Sequence, residues 1–415
     1  MRVLLSAYAC EPNRGSEEGF GWNWATHLAK QGHEVWVMTR PLAREAIERA
    51  MEEAPIPNLH FVFVDIPARY KRFIKGLFGV YAHYFLWQRA AFRQGREIVA
   101  EQPIDLAHHV TWGSLIGGSW LWRLGKPFVF GPVGGGQVAP AAFSRYFPTR
   151  WRQEAIRTHI TERWLPHLRA TRRMLRNTTL LLATNSETLR IARRMGARRT
   201  ELFLDTGLPA SYYAAEPKRR FRDDTAHILW VGRLLERKAL RLSLEAVAKL
   251  KIPFRMTILG DGPEEVHVHQ WIAELGLTDR VTWPGRVPWN EVQRAYEEHE
   301  LFLFTSLRDS FGSQLLEAMS NGLAVVTLDH QGAHDFVPDN AGLRVPVTSP
   351  EATAAALAAA IETLYRQPER LEGMSQTGLD FARLNEWTLK AERVTRLYET
   401  ILGKKVEQES VHGYS

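Results

Sequence analysis

The chain has 415 residues, 45% of them hydrophobic and 24% charged, with a formal net charge of +7. That length exceeds what one hydrophobic core ordinarily supports, so two domains are expected, and the composition excludes fibrous and wholly disordered classes. The single cysteine, Cys10, excludes an internal disulfide and a cysteine-held zinc or iron–sulfur centre, and it points to a reducing compartment, the cytosol. No run approaches the ~18 consecutive apolar residues of a membrane span. The apolar start, residues 1–9, reads as a first core strand, because the polar and acidic stretch 11–18 interrupts it before any cleavage-site pattern.

Short apolar, β-branched runs alternate with helix-length segments from the first residue onward, the pattern of parallel sheets covered by helices, so the fold class is α/β. In the first half, strands are predicted over 2–8, 34–39, 59–64, 105–109, 127–130, 180–184 and 201–204, with helices over 22–31 and 80–101. A link rich in proline and charge, 214–224, precedes a restart of the pattern. Strands over 227–231, 255–259, 281–283, 301–304 and 324–328 alternate there with helices over 240–250, 264–275, 290–299 and 314–321. The expected organisation is two doubly wound domains, 1–205 and 206–385, then a helix over 386–403 crossing back to the first domain and a flexible tail over 404–415.

Charge is unevenly spread. Arg145, Arg150, Arg152, Arg157, Arg163, Arg169, Arg172, Arg173 and Arg176 have only Glu154 and Glu162 against them, and Arg190, Arg193, Arg194, Arg198 and Arg199 follow. Trp151 and Trp164 are interleaved, and Lys71, Arg72, Phe73, Lys75, Phe78, Tyr81, Tyr84, Phe85 and Trp87 lie upstream. Such a mixture suits peripheral docking on the cytoplasmic face of an anionic membrane. A solvated helix face over an ordinary core is the alternative, and no nucleic-acid module accompanies the arginines.

Ligands of open α/β sheets gather outside the carboxyl ends of the strands, where loops and helix N-termini present free N–H groups. Strand 227–231 ends in Gly232 and Arg233, with Lys238 on the same loop, two cations that can neutralise a diphosphate leaving group. Strand 255–259 ends in Gly-Asp-Gly-Pro, where Gly260 and Gly262 permit a tight turn and close backbone approach. Gly285, Arg286 and Val287 end strand 281–283, where backbone groups can hold a base edge. The sharpest motif follows strand 301–304: Asp309, Ser310, Phe311, Gly312 and Ser313 stand at the start of a helix that carries Glu317. Amides near Gly312 and Ser313 would point at a phosphate, Glu317 would accept from ribose hydroxyls, and Asp309 would face the transferred sugar. Each residue alone reads more simply as a turn or a surface charge; the ordered set, each member at a strand end, reads as a site.

On the other side, Gly15, Gly19 and Gly21 follow the first strand, but their spacing and the intervening Glu17 and Glu18 do not fit a dinucleotide fingerprint. Strand 105–109 ends in His108 and His109, of which only one can face the cleft because side chains alternate along a strand. Gly134 and Gly135, in the glycine-rich loop 131–137, can approach a bound sugar through their backbone.

The set Gly-Arg-Leu with a following Lys, then Gly-Asp-Gly-Pro, then acid-Ser-Phe-Gly with Glu and Ala in the next helix resembles the donor domain of the retaining family-four glycosyltransferases, the bacterial polysaccharide and glycolipid type. The resemblance is specific over 232–322. It implies the GT-B fold, with two Rossmann-like domains facing across a cleft. It also implies transfer of a sugar, with retention, from a nucleotide diphosphate sugar to a hydroxyl of a glycan or lipid-linked acceptor, without a metal or other cofactor. In that reading Arg233 and Lys238 contact the diphosphate, Glu317 the ribose, Asp309 the donor sugar, and Gly15 belongs to the loop closing over the phosphate. The family's spacing selects His108, three residues beyond Asp105, for the cleft, with His109 as its rival. Three departures stand out: Asp309 replaces the usual Glu, Ala239 follows Lys238 where Gly is usual, and Thr206-Gly207 stands for Asn-Gly. The alternatives are a nucleotide-sugar epimerase of the same fold and a non-catalytic nucleotide-sugar-binding protein; a dehydrogenase lacks its glycine fingerprint.

Overall fold

The computed structural model describes residues 1–71, 76–218 and 223–404. Arg72, Phe73 and Lys75 of the basic stretch, and the tail beyond residue 404, lie outside the described residues, as do the side chains of Lys71 and Phe78. The first sheet contains β1 (Arg2–Ser6), β2 (Glu34–Thr39), β3 (Leu59–Phe63), β4 (Leu106–His109), β5 (Phe128–Val133), β6 (Leu180–Ala183) and β7 (Thr200–Leu202). Its order is β3-β2-β1-β4-β5-β6-β7, every pair parallel.

The second sheet contains β8 (Ala226–Val231), β9 (Phe254–Leu259), β10 (Val281–Gly285), β11 (Leu301–Phe304), β12 (Ala324–Leu328) and β13 (Gly342–Val345). Its order, β10-β9-β8-β11-β12-β13, repeats that of the first six strands of the other sheet, again all parallel. Central strands such as β11 and β12 are buried at every position, as helices on both faces demand, which is why they read as unbroken apolar runs. Edge strand β10 instead alternates and tolerates Pro284 at an exposed position. Strand β13 has no apolar run to announce it and forms by pairing with β12. In each sheet the strand order reverses between two central neighbours, β1 and β4 in one and β8 and β11 in the other, and a crevice opens at such a switch point.

Two stretches tie the domains together. Ala139, Phe143, Tyr146 and Phe147, numbered within the first half, pack in the core of the second sheet. The Glu236 carboxylate accepts the amides of Thr149 and Arg150 at the start of helix Trp151–His159. Further along that helix, Glu154 takes both arms of the Arg308 guanidinium, at 2.8 and 3.0 Å. At the other end of the chain, helix Trp387–Ile401 packs on helix Ser16–Lys30 and inserts Trp387, Val394 and Tyr398 into a first-sheet core. The Lys390 ammonium donates to the Leu204 carbonyl at 2.7 Å.

Several residues read as part of a basic, aromatic face have other places. Tyr84 and Trp87 are fully buried core residues, and Trp151 packs against the second-sheet core. Arg145 bridges to Glu245 and Glu351. Among the described residues no helix is long and apolar enough to cross a membrane.

The Glu154–Arg308 pair is nearly dry, its side chains 11% and 16% exposed. Glu154→Ala leaves the guanidinium buried and unpaired, at a cost of about 3 kcal/mol. Thermal unfolding is expected to show a midpoint lower by several degrees, and the double variant E154A/R308A less than the sum of both single losses; an unshifted midpoint in E154A contradicts the brace.

Candidate active site

The carboxyl ends of the two sheets face each other across a cleft of about 930 Å³. Its second-domain wall is built from the loops after β8, β10 and β11, and the loop after β9 packs behind the first of them. Gly260 and Gly262 bring the loops after β8 and β9 together: a Cβ on Gly260 would lie 1.9 Å from the Gly232 carbonyl oxygen, and one on Gly262 2.5 Å from that of Leu234. Both have positive φ, +142° and +151°, which disfavours any side chain. Their role is therefore to seat the arginine-bearing loop, and neither glycine, nor Gly232, lines the cleft. The β11 exit completes the wall: the Leu307 amide donates to the Arg237 carbonyl at 2.8 Å, and the Thr305 hydroxyl to that of Ala239 at 3.1 Å.

This scaffold brings Lys238 onto Asp309. The ammonium, 6% exposed, contacts Asp309 Oδ2 and lies 4.9 Å over the Phe304 ring. Arg237 and the Ser306 hydroxyl also donate to Oδ2, both at 3.2 Å, and the Ser310 amide donates to Oδ1 at 3.1 Å. Burial pushes the Asp309 carboxyl up, but Lys238 and Arg237 outweigh it and hold the group at about 2. Burial also pulls Lys238 below the ordinary lysine value, with Asp309 opposing. Asp309 lines the cleft with both oxygens already engaged. Gly312 caps helix Ser313–Ser320 at φ +97°, and Ser310, Gly312 and Ser313 line the cleft at that helix N-terminus. Arg233 and Arg286 complete the wall, with side chains 68% and 81% exposed and only long contacts to Asp261, at 3.7 and 3.8 Å.

The first-domain wall is acidic. Gly15 begins helix Ser16–Lys30 at the cleft, followed by Glu17, whose Oε1 accepts the Gly113 amide at 2.8 Å. Burial raises the Glu17 carboxyl above its ordinary value. Asp205, at the end of the segment leaving β7, is raised to about 6 by burial, against the pull of Lys390 and with the push of Asp309. Glu17, Asp205 and Arg237 were not singled out from sequence as site residues; each stands just beyond a strand end or beside a chosen cation, which is the signal that locates them.

Other expectations are corrected. His108 does not face the cleft: it is fully buried, with Nδ1 against the Tyr398 hydroxyl at 2.5 Å and Nε2 against the Gly131 carbonyl at 2.7 Å. Burial lowers it to about 4, so it is neutral. His109 points to the opposite face, as alternation requires, but is equally buried, with the Ser6 hydroxyl 2.9 Å from Nδ1. Gly134 and Gly135 are also buried and bond back into the protein, Gly134 to Gly113 and Leu115 and Gly135 to the Gln137 side chain. Phe311 is a core residue packed edge-on to Phe336. Glu317 lies behind the cleft wall, accepting the Tyr296 hydroxyl at 2.9 Å; burial raises it, while bonds from Tyr296 and Ser313 oppose that rise.

The glycine geometry is testable. Gly260→Ala must push the two loops apart and is expected to cost about 2 kcal/mol or more. Gly15→Ala has open space and negative φ and should leave stability unchanged. Thermal melts of both variants check this; equal midpoints contradict the packing role of Gly260.

Residues 214–379 match the family model described as glycosyl transferases group 1. The chain is 36% identical over 142 residues to the putative colanic acid biosynthesis glycosyltransferase WcaL of Escherichia coli K12, covering 32% of this chain and 35% of that protein. It is 36% identical over 141 residues to the amylovoran biosynthesis glycosyltransferase AmsK of Erwinia amylovora, covering 32% and 34%. The alignment thus spans about a third of the length of these curated relatives. Sucrose-phosphate synthase of Thermosynechococcus elongatus matches the fold over 97% of this chain and 99% of that one, with a TM-score of 0.66 at 18% identity. Anabaena HepE in complex with UDP matches over 96% and 99%, with a TM-score of 0.62 at 15% identity. The second domain is thus similar to the glycosyl transferases group 1 family, and the chain as a whole has the two-domain GT-B fold.

Proposed function

We propose that the protein is a retaining glycosyltransferase that moves a sugar, a hexose in the simplest case, from a nucleotide diphosphate sugar to a hydroxyl of a glycan or lipid-linked acceptor. The polarity of the cleft carries this reading. Arg233, Arg237, Lys238 and Arg286 crowd one wall, and Glu11, Glu17, Glu18 and Asp205 stand on or beside the other. A diphosphate is drawn to the first wall, while the second offers acceptors for sugar hydroxyls. The amides at Gly312 and Ser313 add the partial positive charge of a helix N-terminus. Similarity to WcaL and AmsK, and to the lipopolysaccharide core biosynthesis glycosyltransferase LpsE of Rhizobium meliloti, supports a role in making cell-surface polysaccharide or lipopolysaccharide.

As the anomeric bond to the diphosphate breaks, negative charge grows on the departing phosphate oxygen. The cationic wall stabilises that charge where it develops, the largest single contribution such a site makes. The acceptor hydroxyl attacks the anomeric carbon on the face from which the diphosphate departs and passes its proton to the departing phosphate oxygen, so no protein nucleophile is required, and the cations do the neutralising a metal would otherwise do. Lys238 then exchanges part of its contact with Asp309 for phosphate, and Asp309, freed on that side, turns to a sugar hydroxyl. Glu317 reaches the ribose once its oxygen leaves Tyr296. Gly285, Arg286 and Val287 border the base, next to the stacked rings of Tyr212 and Trp289.

Incubation with UDP-, GDP- and ADP-sugars, with and without lipid-linked and oligosaccharide acceptors, measures nucleotide release, and the anomeric coupling of the product reports retention. Lys238→Ala is expected to lower turnover about 100-fold. Arg233→Ala, at an exposed position that spares folding, should lower it roughly tenfold. Unchanged rates in both variants would place the diphosphate elsewhere, and nucleotide binding without release from any donor would make this a binding protein.

A further inference from the structure

The chain leaving β12 holds the loop that carries Asp309 through successive residues, none of which lines the cleft. His330 Nε2 lies 3.2 Å from the Leu307 carbonyl oxygen. The Gln331 side-chain oxygen accepts the Asp309 amide at 2.7 Å. Gly332 sits so close to Ser310 that a Cβ there would lie 1.7 Å from its carbonyl oxygen. The Asp309 loop is thereby gripped from behind at residues 307, 309 and 310.

Gln331 is the unusual member. It is 3% exposed and stands at φ +53°, a left-handed backbone that glycine adopts without strain and a glutamine does not. Both ends of its side-chain amide are engaged: the oxygen takes the Asp309 N–H, and the nitrogen donates to the Val138 carbonyl at 2.8 Å. These partners fix the orientation of the amide, since a flipped group would set N–H against N–H and oxygen against oxygen. Val138 directly follows the glycine-rich loop 131–137. A little further on, the Asp335 carboxylate accepts the Ser186 amide at 2.6 Å, where helix Ser186–Met195 of the first domain begins. One short segment therefore touches the Asp309 loop on one side and the first half of the chain on the other.

A buried side chain held on a strained backbone persists where its surroundings over-determine it, and such positions cluster at functional sites. A glycine at 331 would relieve the backbone but leave the Asp309 amide and the Val138 carbonyl without these partners. We propose that Gln331 is a positioning residue of the donor-sugar subsite. It clamps the Asp309 backbone against Val138, so that only the Asp309 side chain moves when it turns from Lys238 to a sugar hydroxyl. This role rests on the transferase reading and adds a requirement to it: the sugar is recognised at full strength only while the clamp holds. The diphosphate has contacts of its own, on the loop after β8, and does not touch Gln331.

Titration calorimetry on the full chain tests this with paired probes: UDP and UDP-glucose, GDP and GDP-mannose, ADP and ADP-glucose. The pair whose sugar tightens binding in the wild type is then measured with Gln331→Gly and with Gln331→Met, which keeps the volume but not the polar ends. In both variants the nucleotide alone should bind within about twofold of wild type, while the sugar-bearing partner should weaken about tenfold. The same variants should lower kcat about 100-fold with that donor. The ratio of the two affinities is decisive, because damage to the fold would weaken both ligands together. A wild-type ratio in both variants overturns the clamp. Equal weakening of nucleotide and nucleotide sugar also overturns it and assigns Gln331 to the fold alone. So does a wild type that binds a nucleotide but gains nothing from any of the sugars. A wild type that binds none of the probes instead removes the transferase reading, and this role with it.

Discussion

Lys238 and Asp309 face each other in a buried place, where each charge works against the burial that disfavours the other. Burial pulls Lys238 down while Asp309 opposes that pull, and it pushes the Asp309 carboxyl up while Lys238 and Arg237 outweigh that push. Together with Arg237 they form a compact charged unit at the exits of β8 and β11, the two strands between which the order of the second sheet reverses. Such a pair adds little net stability, because desolvation of both charges offsets their attraction, but breaking it strands a charge and costs several kcal/mol. Its value is positional. It fixes a cation and an acid within one hydrogen bond of each other at the mouth of the cleft, beside a helix N-terminus.

The rest of the structure serves to present that unit to the opposite wall. Residues 139–151 reach from the first half into the second core, and helix Trp387–Ile401 reaches from the end of the chain into the first. These exchanged segments hold an acidic wall and a basic wall across one cleft. Arg308 makes the coupling direct: its side chain grips Glu154 of the first half while its carbonyl accepts from Arg237. A shift of one domain on the other is thereby felt at the residue next to Asp309.

Legibility in the sequence followed local physics. A strand such as β12, whose run is bounded by turns, was readable to the residue, because burial on both faces leaves a nearly continuous apolar signal. β13 was not, since Gly342, Leu343, Arg344 and Val345 carry no strand pattern of their own. In the cleft, strand-end cations and the Asp309 helix start were legible as a pattern. The partnership between Lys238 and Asp309 was not, because it joins residues 71 positions apart. The two histidines misled for a related reason: a strand end marks the cleft edge only if nothing covers it, and Tyr398, from 290 residues further on, covers His108. Ala239 is informative in the other direction. It sits at φ +49°, a left-handed conformation that glycine adopts without strain, which accounts for the glycine usual at this position in the family it resembles.

Where a nucleotide diphosphate settles is the most direct measure of the site. Hydrogen–deuterium exchange on the full chain, with and without a mixture of UDP, GDP and ADP, reads this amide by amide. Protection is expected in the loop 232–238 and across 309–317, with a weaker effect near Gly15 and none at 131–137. Protection confined to the first domain, or bound nucleotide that leaves both second-domain loops unchanged, would contradict the assignment of the cationic wall as the diphosphate site.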